Sequence, residues 1–130
     1  MVRNAMIQVQ IFGFTDCQET RKAQRFFKER GVTVHFVDMK ERPAARGELG
    51  RFAQRFGAAA LIDREGPSFE ALGLRVAGDS PARLVEKALI EPRLLRTPLV
   101  RSGQHVAIGY QLEAWQAWVD AAKQGAERAR

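Results

Sequence analysis

The chain has 130 residues, of which 45% are hydrophobic and 28% are charged, as expected for one ordinary globular domain. With one cysteine in the sequence, a small scaffold held by disulfides is excluded, and the composition also excludes an acidic disordered tail and a fibrous repeat. Lys and Arg number 21 against 15 Asp and Glu, for a net charge of +6. Because the arginines alternate with Glu, Asp and Gln along helical stretches, we expect solvated helix faces and no direct binding of nucleic acid.

The first third of the chain predicts a βαβ unit. Residues 7–11 alternate between aliphatic residues and glutamine, which is the period of a strand. Gln18–Arg30 predicts a helix with one apolar face, and Gly31 is its stop signal. Residues 32–37 are β-branched and aromatic and predict a second strand. Two strands joined by one helix are expected to be parallel.

The middle of the chain predicts helices without strands. Pro43 opens a helix that continues to Phe56, and residues 63–67 read as a loop. Ser80–Pro81 is an N-cap and first-turn pair that starts another helix, which ends before Pro92. We therefore expect a helical insert over about residues 43–92.

The last third predicts a hairpin and a helix. Leu99–Val100 and Val106–Ile108 flank a turn at Ser102–Gly103, the pattern of two antiparallel strands. Trp115 and Trp118 follow on one face of a C-terminal helix. The order βαβ, helical insert, ββα predicts one α/β domain over 1–130 with a thioredoxin-like fold, in which helices flank a central mixed sheet.

Cys17 is the first candidate for chemistry, because it lies between the predicted first strand and first helix. Unpaired N–H groups and the helix dipole at that position favour the thiolate, the reactive form of cysteine. Thr20 and Arg21 follow three and four residues later, a spacing that brings both within reach of the sulfur. We expect Thr20 to donate a hydrogen bond and Arg21 to add positive charge or bind an oxyanion. The alternative is a small buried apolar cysteine at a helix start.

Thr97–Pro98 is the second candidate. In the predicted topology the hairpin begins beside the cysteine loop, and a cis peptide bond there would turn the backbone of Thr97 toward the thiol. Cis bonds are about 5–6% of X–Pro bonds in folded proteins, so this prediction rests on the fold rather than on the proline alone. The alternative is a trans proline that starts an edge strand.

No metal site and no membrane segment are predicted. His35 and His105 lack the pair spacing of zinc ligands. The apolar stretch at residues 7–14 is broken by glutamines and is too short for a membrane helix. We expect no bound cofactor, no membrane contact and a cytoplasmic location, where a lone thiol stays reduced.

The run at residues 12–23, Phe-Gly-Phe-Thr-Asp-Cys-Gln-Glu-Thr-Arg-Lys-Ala, resembles the active-site loop of the ArsC/Spx family. These are thioredoxin-fold proteins that include glutaredoxin-dependent arsenate reductases. Residues 63–64, 69–74 and 80–92 resemble parts of the family's insert, and residues 94–100 and 106–110 resemble its hairpin with a cis proline. Several weak motifs thus occur in the family's order over about residues 7–122.

The resemblance implies a thiol-dependent reductase. Cys17 would attack an oxyanion such as arsenate, or a glutathione mixed disulfide. A thiol of glutathione, as co-substrate, or of glutaredoxin, as partner, would then resolve the adduct. The resemblance further implies that Arg21 is the arginine one turn after the cysteine and that Arg64 binds the anion.

Three positions depart from the family's pattern. The reductases have an arginine directly before the cis proline, where this chain has Thr97, and Arg96 is expected on the other face of the strand. A further oxyanion arginine of the reductases lies beyond the hairpin turn, where this chain has Ile108-Gly109-Tyr110. Arg96, Thr97 and Pro98 all remain candidates for binding the substrate. The Spx proteins with a redox switch carry a second cysteine where this chain has Thr20. The alternatives are an Spx-like regulatory protein that binds a partner such as RNA polymerase, or a degenerate member that senses oxidants.

Overall fold

The computed structural model describes residues 7–128, with side chains as far as residue 125. The predicted domain span of 1–130 therefore extends beyond the described residues at both ends. The strands are β1 (Gln8–Gly13), β2 (Thr33–Asp38), β3 (Leu99–Ser102) and β4 (His105–Ile108). The helices are α1 (Gln18–Glu29), α2 (Arg46–Phe56), α3 (Pro67–Ala71), α4 (Leu74–Ala77), α5 (Pro81–Ile90) and α6 (Leu112–Arg128).

The strands form one mixed four-stranded sheet in the order β2-β1-β3-β4. β1 and β3 are antiparallel, and their register places Phe12 opposite Leu99. β3 and β4 form the predicted antiparallel hairpin, in which Leu99 lies opposite Ile108. Because β3 pairs directly with β1, the segment that precedes β3 lies beside the loop that follows β1.

One hydrophobic core joins a face of this sheet to α1 and α6. Its members come from β1 and the residue before it, one face of each helix, the residue before β2, and β3 and β4: Ile7, Val9, Ile11, Ala23, Phe26, Phe27, Val32, Val100, Ala107, Trp115 and Val119. The ring centroids of Phe27 and Trp115 are 5.8 Å apart. Trp118 packs against this core, as predicted. Burying each large side chain contributes about 1.5–3 kcal/mol, so the core holds α1 firmly against the sheet.

The chain forms two compact units. The first contains the described residues up to Val37 and those from Thr97 onward, and the second is Asp38–Arg96. The sheet, α1 and α6 belong to the first unit. The second unit contains α2 to α5 and two short 3₁₀ helices, Ala58–Leu61 and Pro92–Leu94. The helical segment predicted at about 43–92 thus lies within the second unit.

The first helix of the second unit begins three residues later than predicted, at Arg46 instead of Pro43. The carboxylate of Glu48 accepts a hydrogen bond from the Ala45 N–H at 2.8 Å and forms an ion pair with Arg42 at 3.0 Å. A glutamate in the first turn that reaches back to the N-cap N–H fixes where a helix starts. The extended backbone of Ala45 therefore separates Pro43 from the helix.

The other predicted helix of this unit, α5, begins as predicted. Ser80 is its N-cap, with its Oγ accepting from the Arg83 N–H at 3.2 Å, and Pro81 is its first residue. The short helices α3 and α4 were not predicted, since one turn of helix carries little periodicity. None of the helices in the described part of the chain is long and apolar enough to cross a membrane.

Candidate active site

Cys17 is the N-cap residue of α1, so the predicted position of the thiol at a helix start is confirmed. Its N–H donates to the Phe14 carbonyl at 3.0 Å and closes the turn after β1. Its own carbonyl accepts the first helical hydrogen bond, from the Arg21 N–H at 3.1 Å. The side chain is half-buried and makes no capping hydrogen bond to the first turn of α1. The sulfur therefore lies at the positive end of the helix dipole.

Thr97 is the residue that contacts the sulfur from the other end of the sequence. Its hydroxyl Oγ1 donates a hydrogen bond to Cys17 Sγ at 3.2 Å, and its carbonyl oxygen lies 4.0 Å from the same sulfur. The Thr97–Pro98 peptide bond is cis, as predicted. The sulfur therefore lies within hydrogen-bonding distance of both the hydroxyl and the carbonyl of Thr97. The structure thus brings together three of the predicted site residues, Cys17, Thr97 and Pro98.

Pro98 is held by the strand end across the hairpin. The Gly109 N–H donates to the Pro98 carbonyl at 2.8 Å, directly after β4. Gly109 has a φ of +80°, in the left-handed region that favours glycine. The position of Pro98 beside the thiol therefore depends on a glycine eleven positions further along the chain.

Thr20 differs from its predicted role as a hydrogen-bond donor to sulfur. Its side chain is fully buried, and its Oγ1 has no hydrogen-bond partner among the described residues. The side chain packs against the backbone of Gly13, where an added Cβ would lie 2.4 Å from Thr20 Oγ1. Thr20 is therefore a buried residue that packs against β1. The hydroxyl that donates to the sulfur belongs to Thr97 instead.

Arg21 lies on the cysteine loop. Its side chain is exposed, and its guanidinium Nη1 donates to the Thr15 carbonyl at 2.8 Å. This hydrogen bond holds the loop before Cys17 and keeps a positive charge on it. The donor group therefore bonds to a backbone carbonyl of the loop rather than to the sulfur.

The two remaining arginine candidates belong to the second unit. Arg64 is exposed in the turn before α3, and its guanidinium lies 5.5 Å from the ring centroid of Phe69. Arg96 is exposed at the end of the unit, where its backbone N–H donates to the Leu61 carbonyl at 2.8 Å. The role of these two guanidinium groups as anion ligands stays a prediction.

The feature of the site that sequence reasoning missed is the side chain of Thr97. The prediction assigned the polar backbone of Thr97 to the substrate, whereas the hydroxyl is the group that reaches the sulfur. A hydroxyl-bearing residue directly before a proline beside a cysteine loop is the signal that points to this contact. In the region from residue 7 to residue 125, no group of three His, Cys, Asp or Glu side chains is placed to hold a metal ion.

Comparison with known proteins gives a family match over most of the chain. The family model described as the ArsC family matches residues 12–118. The chain is also 27% identical over 104 residues to the global transcriptional regulator Spx 2 of Oceanobacillus iheyensis, an alignment that covers 78% of this chain and 76% of that protein. The residues that the family model matches include Cys17, Thr97 and Pro98.

Solved structures give a similar result for the fold. The YffB protein superposes with a TM-score of 0.77 at 24% identity, covering 85% of this chain and 97% of that one. An arsenate reductase from Vibrio cholerae superposes with a TM-score of 0.71 at 18% identity, covering 86% of this chain and 96% of that one. At these identities the likeness shows the fold alone, and the predicted thioredoxin-like α/β fold is confirmed.

Proposed function

The chain belongs to the ArsC family, and from that membership we propose that it is a thiol-dependent reductase with Cys17 as the nucleophile. Its substrate is a small oxyanion or a glutathione mixed disulfide, and an external thiol resolves the adduct. The observation that carries the proposal is the half-buried sulfur at the N-cap of α1 with the Thr97 hydroxyl 3.2 Å away. A helix N-terminus and a hydroxyl donor are groups that stabilise an anion, and the anionic sulfur is the nucleophilic form of cysteine.

With a mixed disulfide, the reaction is two thiol–disulfide exchanges. The Cys17 thiolate attacks the glutathione sulfur, the S–S bond of the substrate breaks, and the released thiolate takes up a proton. A second thiolate, from glutathione or glutaredoxin, then attacks the new disulfide and regenerates the Cys17 thiolate. The hydroxyl of Thr97 is placed to stabilise the negative charge on Cys17 before the first step and after the second.

With an oxyanion such as arsenate, the Cys17 sulfur attacks the central atom and displaces a protonated oxygen as water. The external thiol then converts the adduct to a disulfide. Two thiols thereby lose two electrons to the central atom, and their two protons leave in the water. In this scheme Arg21 is the cationic side chain of the first unit proposed to attract the anion, and Thr97–Pro98 borders the attacking sulfur. The proposed role of Arg64 and Arg96 as anion ligands rests on the sequence alone.

The need for an external thiol follows from the composition. Because Cys17 is the single cysteine, the chain cannot close an internal disulfide to release its product. Glutathione or a glutaredoxin is therefore the proposed co-substrate or partner. We propose that the protein works in the cytoplasm, where such thiols are kept reduced.

The test compares native protein with Cys17→Ser in glutathione-coupled assays that use arsenate and a glutathione mixed disulfide. We expect turnover by the native protein on at least one substrate and loss of nearly all of it in the variant. Equal background rates for both proteins on both substrates would refute the proposal. Circular dichroism of Cys17→Ser is the control for folding. We expect a native spectrum, because replacing a half-buried thiol by a hydroxyl is a small change.

A regulatory function is the second candidate. The observation that favours it is the similarity over 104 residues to a protein named as a global transcriptional regulator. Under this hypothesis the chain binds a protein partner such as RNA polymerase, and the thiol is dispensable. Purified RNA polymerase that binds native protein and Cys17→Ser equally, without turnover in the glutathione-coupled assays, would favour this function. Absence of binding together with clear turnover would exclude it.

A further inference from the structure

We propose that a cleft between α1 and α6, whose lining does not include Cys17, binds an acidic protein segment that carries an apolar side chain. The cleft has a volume of about 290 Å³ and lies between α1, Tyr110 and the first residues of α6. We call it the α1–α6 cleft. All of its lining residues belong to the first unit. This site goes beyond the proposed function, because it requires neither Cys17 nor a reducible substrate.

The positive charge of the cleft comes from Lys22 and Arg25. Both side chains are exposed, and within the described part of the chain neither forms an ion pair. Lys22 Nζ lies 5.4 Å from the ring centroid of Tyr110, which holds this ammonium group at the edge of the cleft. The two residues are three positions apart on α1, so they are neighbours on one helix face. Two carboxylates of a partner can pair with them at the same time.

The apolar part of the cleft is aromatic. Phe26 and Trp115 are buried, whereas Tyr110 and Leu112 remain 46% and 43% exposed. The ring centroids of Tyr110 and Trp115 are 5.2 Å apart in an edge-to-face contact. This contact positions the Tyr110 ring beside the cleft. Exposed aromatic and aliphatic side chains above a packed floor are typical of the places where a partner's apolar side chain docks.

Arg30 forms a rigid wall of the cleft. Its guanidinium stacks on the Phe26 ring at 3.7 Å from the centroid, and its Nη1 donates to the Phe26 carbonyl at 3.0 Å. A planar guanidinium held over an aromatic ring gives this side of the cleft a flat surface. Glu29 is the carboxylate of the lining and opposes an acidic ligand.

The geometry favours a protein segment over the other anionic ligands. Sites that enclose a small molecule usually have volumes of about 300–1,000 Å³, and the cleft, at about 290 Å³, is just below this range. A nucleic acid gains its affinity from many phosphate contacts. The cleft contains few cations and also a carboxylate, so it offers too few contacts for phosphates. One apolar side chain flanked by carboxylates matches both the space and the charges.

The test uses a synthetic peptide of alternating Glu and Ser with one central Phe, titrated into the native protein by calorimetry. We expect a Kd of roughly 10–100 µM at low salt, corresponding to about −7 to −5.5 kcal/mol. Arg25→Glu should weaken binding by about tenfold or more, because it replaces an attraction by a repulsion. Lys28→Glu is the matched control, since Lys28 is an exposed cation on α1 outside the cleft, and it should change the Kd by less than about twofold.

One further protein variant tests the sign of the charge effect, and one changed peptide tests the apolar contact. Glu29→Gln should tighten binding by about twofold to threefold, since it removes the opposing charge. A peptide with Ala in place of the central Phe should bind at least about fivefold more weakly if Tyr110 and Leu112 receive the ring. Circular dichroism of each variant checks that the exposed substitutions leave the fold intact.

Several outcomes would overturn the proposal. These are absence of binding at about 1 mM peptide, equal weakening by Arg25→Glu and Lys28→Glu, or equal affinity for the Phe and Ala peptides. Tighter binding of a single-stranded DNA oligonucleotide than of the peptide would identify a nucleic-acid surface instead. The titration is repeated with Cys17→Ser, in which we expect unchanged affinity, so that the result does not depend on the reductase activity.

Discussion

Two threonine hydroxyls of the first unit have opposite surroundings. The Thr97 hydroxyl is half-buried and donates to the Cys17 sulfur at 3.2 Å. The Thr20 hydroxyl is fully buried and has no partner within residues 7–125. A hydrogen bond to a charged group contributes about 1.5–3 kcal/mol, whereas an unsatisfied buried hydroxyl costs about 1–3 kcal/mol. The same side chain therefore supports reactivity at one position and lowers stability at the other.

Replacing Thr97 by Val should slow the reaction of Cys17 with iodoacetamide at neutral pH by about threefold to tenfold. The variant loses the hydroxyl that donates to the sulfur at 3.2 Å, so the negative charge that sulfur carries when it reacts has one stabilising contact fewer. Thr97→Ser keeps the hydroxyl and is the control, with a rate close to native. Equal rates for Thr97→Val and native protein would show that the hydrogen bond does not influence the sulfur.

Replacing Thr20 by Val should raise the free energy of unfolding by about 1 kcal/mol, because it removes a buried hydroxyl without changing the volume of the side chain. The measurement is urea unfolding followed by circular dichroism. Thr20→Ser retains the hydroxyl and loses the methyl group, and it should destabilise the protein by about 0.8 kcal/mol. A loss of stability in Thr20→Val would mean that the hydroxyl has a favourable partner in solution.

Between elements, the close approach of α1 to the end of β1 determines where the thiol lies. Gly13 is the last residue of β1, and Thr20 is in the first turn of α1. An added Cβ at residue 13 would lie 2.4 Å from Thr20 Oγ1 and 2.6 Å from its Cγ2. Gly13 has no positive φ. The requirement for glycine is therefore steric, and it keeps the loop with Cys17 short and fixed.

Gly13→Ala should lower the free energy of unfolding by about 1–3 kcal/mol, the usual cost of overpacking a core. The double variant Gly13→Ala/Thr20→Ala should lose less than the sum of the two single variants, because the nearest remaining atom of residue 20 is its Cβ at 3.1 Å. Chemical unfolding of the four proteins measures this coupling. Strict additivity would show that α1 moves away from β1 at little cost.

Gly50→Ala is the matched glycine control. Gly50 lies inside α2, is exposed, and has nothing within 4 Å of an added Cβ. Alanine there should raise stability by about 0.5–1 kcal/mol, because it reduces the flexibility of the unfolded chain and favours helix. The opposite signs at residues 13 and 50 separate the steric contact from the general effect of replacing glycine.

The elements that the sequence predicted well are those determined by neighbouring residues. Ser80 and Pro81 define the start of α5 within one turn, so both could be identified from the sequence. The start of α2 depends on the Glu48 carboxylate reaching back to Ala45, and Pro43 alone was misleading. The contact of Thr97 with Cys17 joins residues 80 positions apart. Topology could place them near each other, but no local pattern states which atom of Thr97 meets the sulfur.

At the scale of the whole molecule, the second unit carries carboxylates whose ionisation supports folding. The hydrogen bond from Lys87 holds the pKa of Asp79 below its usual value, against the effect of burial, with a further contribution from Arg83. The Asp79 side chain is 10% exposed. The hydrogen bond from Arg46 similarly lowers the pKa of Glu86 and links α2 to α5. A carboxylate whose pKa is lower in the folded than in the unfolded protein stabilises the fold fully at a pH above its unfolded-state pKa. This stabilisation is lost as the pH falls through its pKa in the folded state.

Asp79→Asn should therefore be less stable than native protein at neutral pH, and the difference should disappear in acid. The full difference is expected above the ordinary aspartate pKa of about 3.9. It should shrink as the pH falls through the lower pKa of the folded state. Urea midpoints measured from neutral to acidic pH provide the test.

Ser80→Ala is the control for this pH dependence. It removes the neighbouring N-cap hydroxyl and should cost about 1 kcal/mol at every pH. A constant difference between native protein and Asp79→Asn across the pH range would contradict the assignment of the stabilisation to the ionised carboxylate.

The distance in sequence between Cys17 and its hydroxyl partner has a consequence for synthesis on the ribosome. Translation releases the thiol 80 residues before Thr97, and the two can meet after β3 has paired with β1. Contacts of such long range form late, because a long loop must first be closed. A nascent chain therefore carries its cysteine through most of its elongation without the group that stabilises the thiolate, and reactivity is acquired as the last hairpin docks.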